Sequence, residues 1–343
     1  MNGAEPPDTL PPGKLPLNLL DRLLRGYTGG DARVLIGPRV GEDATVIAFG
    51  DTCLVAKTDP ITFVTDEIGR YAIHVNANDI ATMGAVPRWF LATLLLPQNR
   101  TDAAMVKDIF ASIHSAAEEI GVCVCGGHTE ITVGLDRPIV VGQMLGEVSR
   151  EDLVRSDGLR AGDALLLTKG LGIEATAILA REKAEGLRKQ GMSSADLRRA
   201  RNYLHEPGIS VLKEARIACG AARAHAMHDP TEGGVATALR ELALASGVGL
   251  ALEADAFFVS RQTRRICAAC RLDPLGVISS GALLIGVAPQ DGAPVRNAIQ
   301  TAGIRCDIIG RAEEPAFGLK LRRSGSWIDL PTFERDEITK IFG

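Results

Sequence analysis

Apolar and polar positions alternate with two different periods along this chain, and the changes of period mark its elements. From Leu17 to Arg25 the apolar residues recur at helical spacing, and the glycines between Gly26 and Gly30 end that helix. Thr45 to Phe49 and Cys53 to Lys57 are strand-like runs flanking Gly50-Asp51, a strong hairpin signal. Asp43 precedes the first run and Asp59 ends the second, so antiparallel pairing puts both acids at one end of the hairpin. The stretch from Thr58 to Pro87 continues as a helix with apolar or small residues on nearly all sides, the mark of a buried helix. Asn76, Asn78 and Asp79 interrupt it. Burying an ionised Asp costs several kcal/mol unless it is paired or binds a metal. These three therefore need partners; a polar cluster satisfied by neighbouring backbone is the alternative to a ligand site.

Pro87 to Pro97 reads as a buried strand. Thr101 is the expected cap of a helix running to about Ile120, with Asp102 in its first turn. Val122 to Cys125 reads as a short strand that delivers a loop, Gly126-Gly127-His128-Thr129-Glu130, and Pro138 to Val148 as the next strand. The order β-β-α-β-α-β-β makes one α/β layer. Residues 149–162 look like a connector. Beyond it come a strand at Ala164 to Thr168, a helix at about Ile173 to Ala180 and a charge-dense segment, 181–201. A helix at Gly208 to Cys219 follows, then the string MHDPTEGG from Met227 to Gly234 and a helix over Val235 to Ala245. Strands are expected at Gly249 to Glu253, Ala282 to Val287 and Arg305 to Ile309, with a charged short helix at the end. The expected fold is mixed α/β (α+β) in two domains, 33–150 and 151–343, after a leader and short helix over 1–32.

Composition narrows the class. At roughly 150 residues per domain, 343 residues give two domains, and 46% hydrophobic residues support real cores. A net charge of -4 argues against nucleic acid or an anionic membrane surface as the main partner. No apolar run approaches the roughly 20 residues that span a bilayer. The Pro-rich start lacks a basic and then apolar segment and reads as a flexible leader, not a secretory signal. Seven scattered cysteines do not form a disulfide framework, which points to a reducing cytoplasm. Cys267 and Cys270 form a lone CxxC without two further zinc ligands and read as packing residues. Acids interspersed with the basic residues of 181–201 make that segment a solvated face.

Candidate chemistry lies at element ends: Asp43, Asp59, Asp79 and Asp229, with Glu130 a fifth acid. Unit charges about 4 Å apart repel by about 4 kcal/mol at an effective dielectric of 20, so a convergent set implies a cation. Oxygen ligands with open positions suit Mg²⁺ shared with phosphates. The pairs Gly126-Gly127 and Gly233-Gly234 let backbone approach a ligand, and the second opens a helix, whose N-terminus attracts anions. By default each pair is a turn. Asp229 has the alternative of capping the helix that follows, and His128 those of metal ligand, phosphate donor or plain loop residue. His205, His225 and His228 form no triad-like pattern. Neither GxxxxGK[ST] nor GxGxxG occurs.

In order, GEDATVI, TDP, NDIATMGAVPR, GGHTE and DPTEGG resemble the motifs of one enzyme superfamily. Its members include aminoimidazole ribonucleotide synthetase (PurM), the hydrogenase-maturation carbamoyl dehydratase (HypE), thiamine-monophosphate kinase and selenophosphate synthetase. The NDIATMGAVPR run and the tail around Leu330-Pro331 are most similar to the hydrogenase-maturation branch. The resemblance implies a two-domain PurM-like fold, a homodimer through the N-terminal sheet, and ATP with Mg²⁺ bound between protomers or domains. It also implies γ-phosphoryl transfer to an amide or carbamoyl oxygen. Asp43 of Glu42-Asp43, Asp59, and Asp79 of Asn78-Asp79 match the family's metal-binding acids, and Asp229, Gly233 and Gly234 its Gly-rich acid motif. On this reading Asp79 and Glu130 are catalytic. Thr58, Asn78, Gly126, Gly127, His128, Asp229, Gly233 and Gly234 join the three metal acids around the nucleotide.

Three departures shape the expectation. His128 and Glu130 stand where the maturation enzyme tends to have Asp and Lys; GGHT is instead similar to selenophosphate synthetase. That enzyme needs Cys or selenocysteine near its start, and no Cys precedes Cys53. The maturation enzyme ends in the Cys that carries the carbamoyl group, whereas this chain ends Lys340-Ile341-Phe342-Gly343. The expectation is an ATP- and Mg²⁺-dependent cytoplasmic enzyme of HypE-like type acting on a separate small-molecule or protein acceptor. The alternatives are aminoimidazole ribonucleotide synthetase itself and a nucleotide-binding accessory protein without turnover.

Overall fold

The computed structural model describes residues 10, 15–39, 42–62 and 64–342, with the backbone alone at 17 and 18. Most of the expected leader, Gly41 of the GEDATVI string and Gly343 lie outside the described residues. Two sheets organise the rest. The first contains β1 (Val34–Ile36), β2 (Thr45–Phe49), β3 (Thr52–Ile61), β4 (Val86–Pro97), β5 (Cys123–Thr132) and β6 (Ile139–Ser149), in the order β1-β2-β3-β6-β4-β5. Its helices are α1 (Leu17–Tyr27), α2 (Ile68–Thr82) and α3 (Ala103–Ile120).

The hairpin forms where the alternation places it, with Thr45 opposite Ala56 and Phe49 opposite Thr52. β3 runs on to Ile61, so Asp59 lies within the strand instead of ending it. On β4, Phe90, Ala92, Leu94 and Leu96 are buried in the core shared with α2, while Trp89, Leu91 and Leu95 on the other face are half-buried. The cap of α3 is Asp102, whose carboxylate accepts the Met105 N–H at 2.8 Å; Thr101 instead donates to the Pro97 carbonyl. The expected loop at 126–130 is strand throughout: β5 pairs in parallel with β4 from Cys123 to Thr132. At Gly127 (φ 148) a Cβ would stand 2.0 Å from the Ala92 carbonyl oxygen, so this glycine serves close strand packing, not a turn.

The second sheet contains β7 (Ala164–Thr168), β8 (Ala224–His228), β9 (Gly249–Glu253), β10 (Leu284–Val287), β11 (Cys306–Glu313), β12 (Leu319–Arg323) and β13 (Ser326–Asp329). Their order is β13-β12-β9-β11-β7-β10-β8. Around it lie α4 (Ile173–Glu182), α5 (Ala184–Lys189), α6 (Ser194–Arg201), α7 (Leu212–Ala221), α8 (Gly234–Ser246), α9 (Arg261–Cys270), α10 (Gly292–Thr301) and α11 (Thr339–Phe342). The helix expected from Gly208 starts at Leu212, and β8 had no sequence counterpart. Among the described residues no helix is long and apolar enough to cross a membrane.

α2 explains its own composition. One side packs on β3, β4 and β6, another on α3, and a third on α7 and β8 of the second half. Fourteen of its fifteen residues are buried as a result. Asn78 fastens this junction: its amide donates to the Ile209 carbonyl at 2.8 Å and accepts the Val211 N–H at 2.9 Å.

Candidate functional site

Four acids that are distant in sequence face one another where the first sheet meets β8. Asp43 leads into β2, Asp59 stands on β3, Asp79 on α2, and Asp229 directly follows β8. Asp43, Asp79 and Asp229 are 7%, 3% and 1% exposed, and Asp59 is half-buried. Lys57 reaches into the group from β3. Residues two apart on a strand share a face, so Lys57 and Asp59 project together, and the Lys57 Nζ lies 3.5 Å from Asp59 Oδ2 and 3.4 Å from Asp79 Oδ2. Asn76 pins this part of β3 to α2: its side-chain oxygen accepts the Asp59 N–H at 2.8 Å.

His228 closes the other side. Its Nδ1 is 2.7 Å from Asp43 Oδ1, and its Nε2 is 3.2 Å from Glu241 Oε2. Asp43, His228 and Asp229 offer ligand atoms that all lie within 4.8 Å of one another. Burial opposes the charge on His228, but the Asp43 and Glu241 carboxylates outweigh it and hold the imidazole well above its usual pKa. Lys57 behaves alike: burial disfavours its ammonium, and Asp79, Asp59, Asp43 and Asp229 together keep it protonated.

Even so, the acids are under-compensated. Burial raises the Asp79 carboxyl well above the ordinary carboxylate range; Lys57 opposes this, and the three other acids add to it. Burial and then Asp43 push Asp229 up to about 7, against the pull of His228 and Lys57. Asp79 Oδ2 and both carboxylate oxygens of Asp229 have no hydrogen-bond partner. Asp229 is not a helix cap either, because Gly233 holds that position on α8. Buried, unpartnered carboxylate oxygens facing one another are what a hard cation satisfies. Oxygen donors of this kind suit Mg²⁺: Asp43 and Asp229 lie in the group whose ligand atoms come within 4.8 Å of one another, and Asp59 and Asp79 stand beside it, held by Lys57.

The remaining expected residues take other places. Thr58 points to the opposite face of β3 from Asp59 and donates its hydroxyl to the Gly142 carbonyl at 2.9 Å. The amide of Asn78 is spent on the backbone of Ile209 and Val211, which gives it a clamping task instead of a nucleotide contact. Gly126, Gly127, His128 and Glu130 lie on β5, exposed, with His128 Nε2 3.4 Å from Glu130 Oε2. Asp59 pairs with Gly142 on β6, Gly142 with Ala92 on β4, and Ala92 with Gly127 on β5. Three steps of about 4.8 Å put Gly127 about 14 Å from Asp59 within one chain. Gly233 and Gly234 open α8 in left-handed conformation, and the Gly233 N–H already donates to Asp336 Oδ2 at 2.7 Å. A Cβ on Gly234 would meet the Leu275 carbonyl oxygen at 2.5 Å. Burial, followed by the Asp157 charge, raises the Glu42 carboxyl above the ordinary carboxylate range, with Ser156 opposing the shift.

The sequence pattern gives Lys57, His228 and Glu241 no site role. The signals were slight: Lys57 stands two residues before Asp59 on a predicted strand, and His228 immediately precedes Asp229.

Similarity to known proteins identifies the family and the fold. The AIR synthase related protein N-terminal domain matches residues 41–148 and its C-terminal domain residues 160–321. The chain belongs to the AIR synthase related family. A hydrogenase expression/formation protein of Methanocaldococcus jannaschii is 28% identical over 292 residues, 83% of either chain. The carbamoyl dehydratase HypE of Cupriavidus necator is 32% identical over 265 residues, covering 74% of this chain and 71% of that one. The crystal structure of the hydrogenase maturation protein HypE in complex with ATP superposes with a TM-score of 0.70 at 22% identity, covering 93% of this chain and 92% of that one. The two-domain PurM-like fold of this family is the one the two sheets form.

Proposed function

We propose that the cluster of Asp43, Asp59, Asp79 and Asp229 is the Mg²⁺-ATP site of an enzyme that transfers the γ-phosphoryl group to an amide- or carbamoyl-type oxygen of a separate acceptor. The observation that carries this reading is the pair of buried Asp229 oxygens without a hydrogen-bond partner, beside Asp79 Oδ2, which has only the Lys57 ammonium at 3.4 Å. The relative named carbamoyl dehydratase and the HypE structure solved with ATP support it. Mg²⁺, when bound, supplies charge neutralisation between these carboxylates and a triphosphate.

The chain's own residues divide the remaining work. His228, clamped between Asp43 and Glu241, fixes the orientation of Asp43. Asn76 fixes Asp59 through its backbone. Lys57 keeps a positive charge among the acids, where its ammonium would pair with a phosphate oxygen. Phosphoryl transfer is mostly positioning and charge stabilisation, which this rigid arrangement provides.

A homodimer through the first sheet belongs to the same reading. Its support is the half-buried apolar face of β4, with Trp89, Leu91 and Leu95, and the exposed edge of β5. Asp79→Asn removes charge with little change in volume. It is expected to lower Mg²⁺-dependent ATP hydrolysis by about 100-fold or more with the circular dichroism spectrum unchanged. Undiminished hydrolysis would return Asp79 to a helix-interior polar group with no catalytic role.

A further inference from the structure

Beside Asp59 a cavity of about 410 Å³ opens between the two halves of the molecule. We propose that it binds a small molecule carrying a cationic amino or amidino head on an apolar body, with the head against Glu174. Its role as the acceptor site rests on the nucleotide reading above; the binding itself does not.

The cavity walls are apolar: Ile61 and Val75 come from the first half, Ile178 and Ile278 from the second. Its polar groups are Asp59, which it shares with the acid cluster, and Thr62, Glu174, Thr231, Glu232 and Ser280. Glu174 stands in the first turn of α4, 5% exposed. Ser280 hydrogen-bonds to its carboxyl, yet Oε2 has no hydrogen-bond partner. A carboxylate that merely complemented the helix dipole would gain as much at the surface. A buried acceptor oxygen lining a cavity calls for a donor there, and leaving the bond unmade costs about 1–3 kcal/mol, more for a charged group.

The neighbouring charges define the donor. Burial first, and then Asp336 and Glu232, raise the Glu174 carboxyl to about 7, so three acids act on one end of the cavity and Asp59 on another part of it. A phosphate or carboxylate group would be repelled from the Glu174 end of this space. A bare metal ion fits poorly too. Among the described residues, the three-ligand group whose atoms come within 4.8 Å of one another is Asp43, His228 and Asp229, not the acids around Glu174. An ammonium or amidinium has the larger footprint and the N–H groups that this spacing suits, and its apolar remainder matches the isoleucine and valine walls.

The test uses the full chain in excess chelator without nucleotide, so that it succeeds or fails independently of ATP binding. Benzamidine is titrated by calorimetry, with benzoate and adenosine as controls. Benzamidine is expected to bind, and Glu174→Gln to weaken it at least tenfold, while benzoate does not bind. No benzamidine binding, or binding that Glu174→Gln leaves unchanged, would overturn the proposal. So would adenosine binding that depends on Glu174, because the cavity would then hold a nucleotide base. Crystals soaked in benzamidine give a readout that needs no variant: the amidinium beside Glu174 Oε2 supports the assignment, and density only elsewhere refutes it.

Discussion

Asp59 of the acid cluster and the β5 edge lie three strands apart in one sheet, and the cluster and the edge are unsatisfied in different ways. At the cluster the unmet groups are side-chain oxygens, buried on Asp79 and Asp229 where water does not reach them. On β5, nine of ten residues are exposed, and His128 and Glu130 pair with each other in solvent. What β5 leaves unmet is backbone, the free edge of a sheet, together with the exposed apolar side chains Val124, Ile131 and Val133. Buried charge calls for an ion or a charged ligand, whereas an open edge calls for another strand. The two regions are therefore suited to different kinds of partner, although both carry glycine- and acid-containing motifs.

The largest expected effect that separates buried acids from exposed ones is on pH and stability. Glu174 is held at about 7 in the fold against 4.5 in the unfolded chain. Between those values the native state keeps a proton that the unfolded state has released, so this group makes the protein less stable as pH rises from about 4.5 to 7. The shift is worth about 3 kcal/mol. Asp229 at about 7 and Asp336 at about 6 act in the same direction. Urea titrations from pH 5 to 8 without metal should show stability falling, and Glu174→Gln should flatten that fall by about 3 kcal/mol. Glu130→Gln on the exposed strand should change stability by less than about 0.5 kcal/mol.

A smaller effect is expected at the junction that holds the cluster together. Asn78→Ala leaves the Ile209 carbonyl and the Val211 N–H without their side-chain partner in a buried place. A loss of about 2 kcal/mol by chemical denaturation is expected. A loss below about 0.5 kcal/mol would mean that water or a shifted backbone replaces the clamp.

The smallest expected effect concerns the edge itself. Ile131→Asp places a charge on β5 where a second copy would pair. Light scattering should report a shift from dimer toward monomer, with the association constant reduced by about tenfold. An unchanged mass would mean that β5 is not the pairing edge.

Much of the fold was legible because it rests on local pattern. The alternation in Thr45–Phe49 and its partner run placed the hairpin, and the all-round apolar surface of Ile68–Thr82 marked α2 as buried. Gly126-Gly127 misled because a glycine pair signals a turn by composition, whereas Gly127 is needed for the approach of β4. β8, Ala-His-Ala-Met-His, lacks the β-branched residues that mark strands and is held in the sheet by its neighbour β10. Asp43, Asp59, Asp79 and Asp229 could be nominated as buried or element-end acids. Lys57 and His228 could not, because their roles come from contacts that span 22 and 185 residues, which no local window contains.

Calorimetric titration of ATP into the protein, once with millimolar Mg²⁺ and once in excess EDTA, tests the cluster most directly. The unpartnered carboxylates predict binding with Mg²⁺ at least about 100-fold tighter than without it, and loss of that difference in Asp79→Asn. Equal affinity in EDTA would contradict the assignment of these four acids to a metal-nucleotide site.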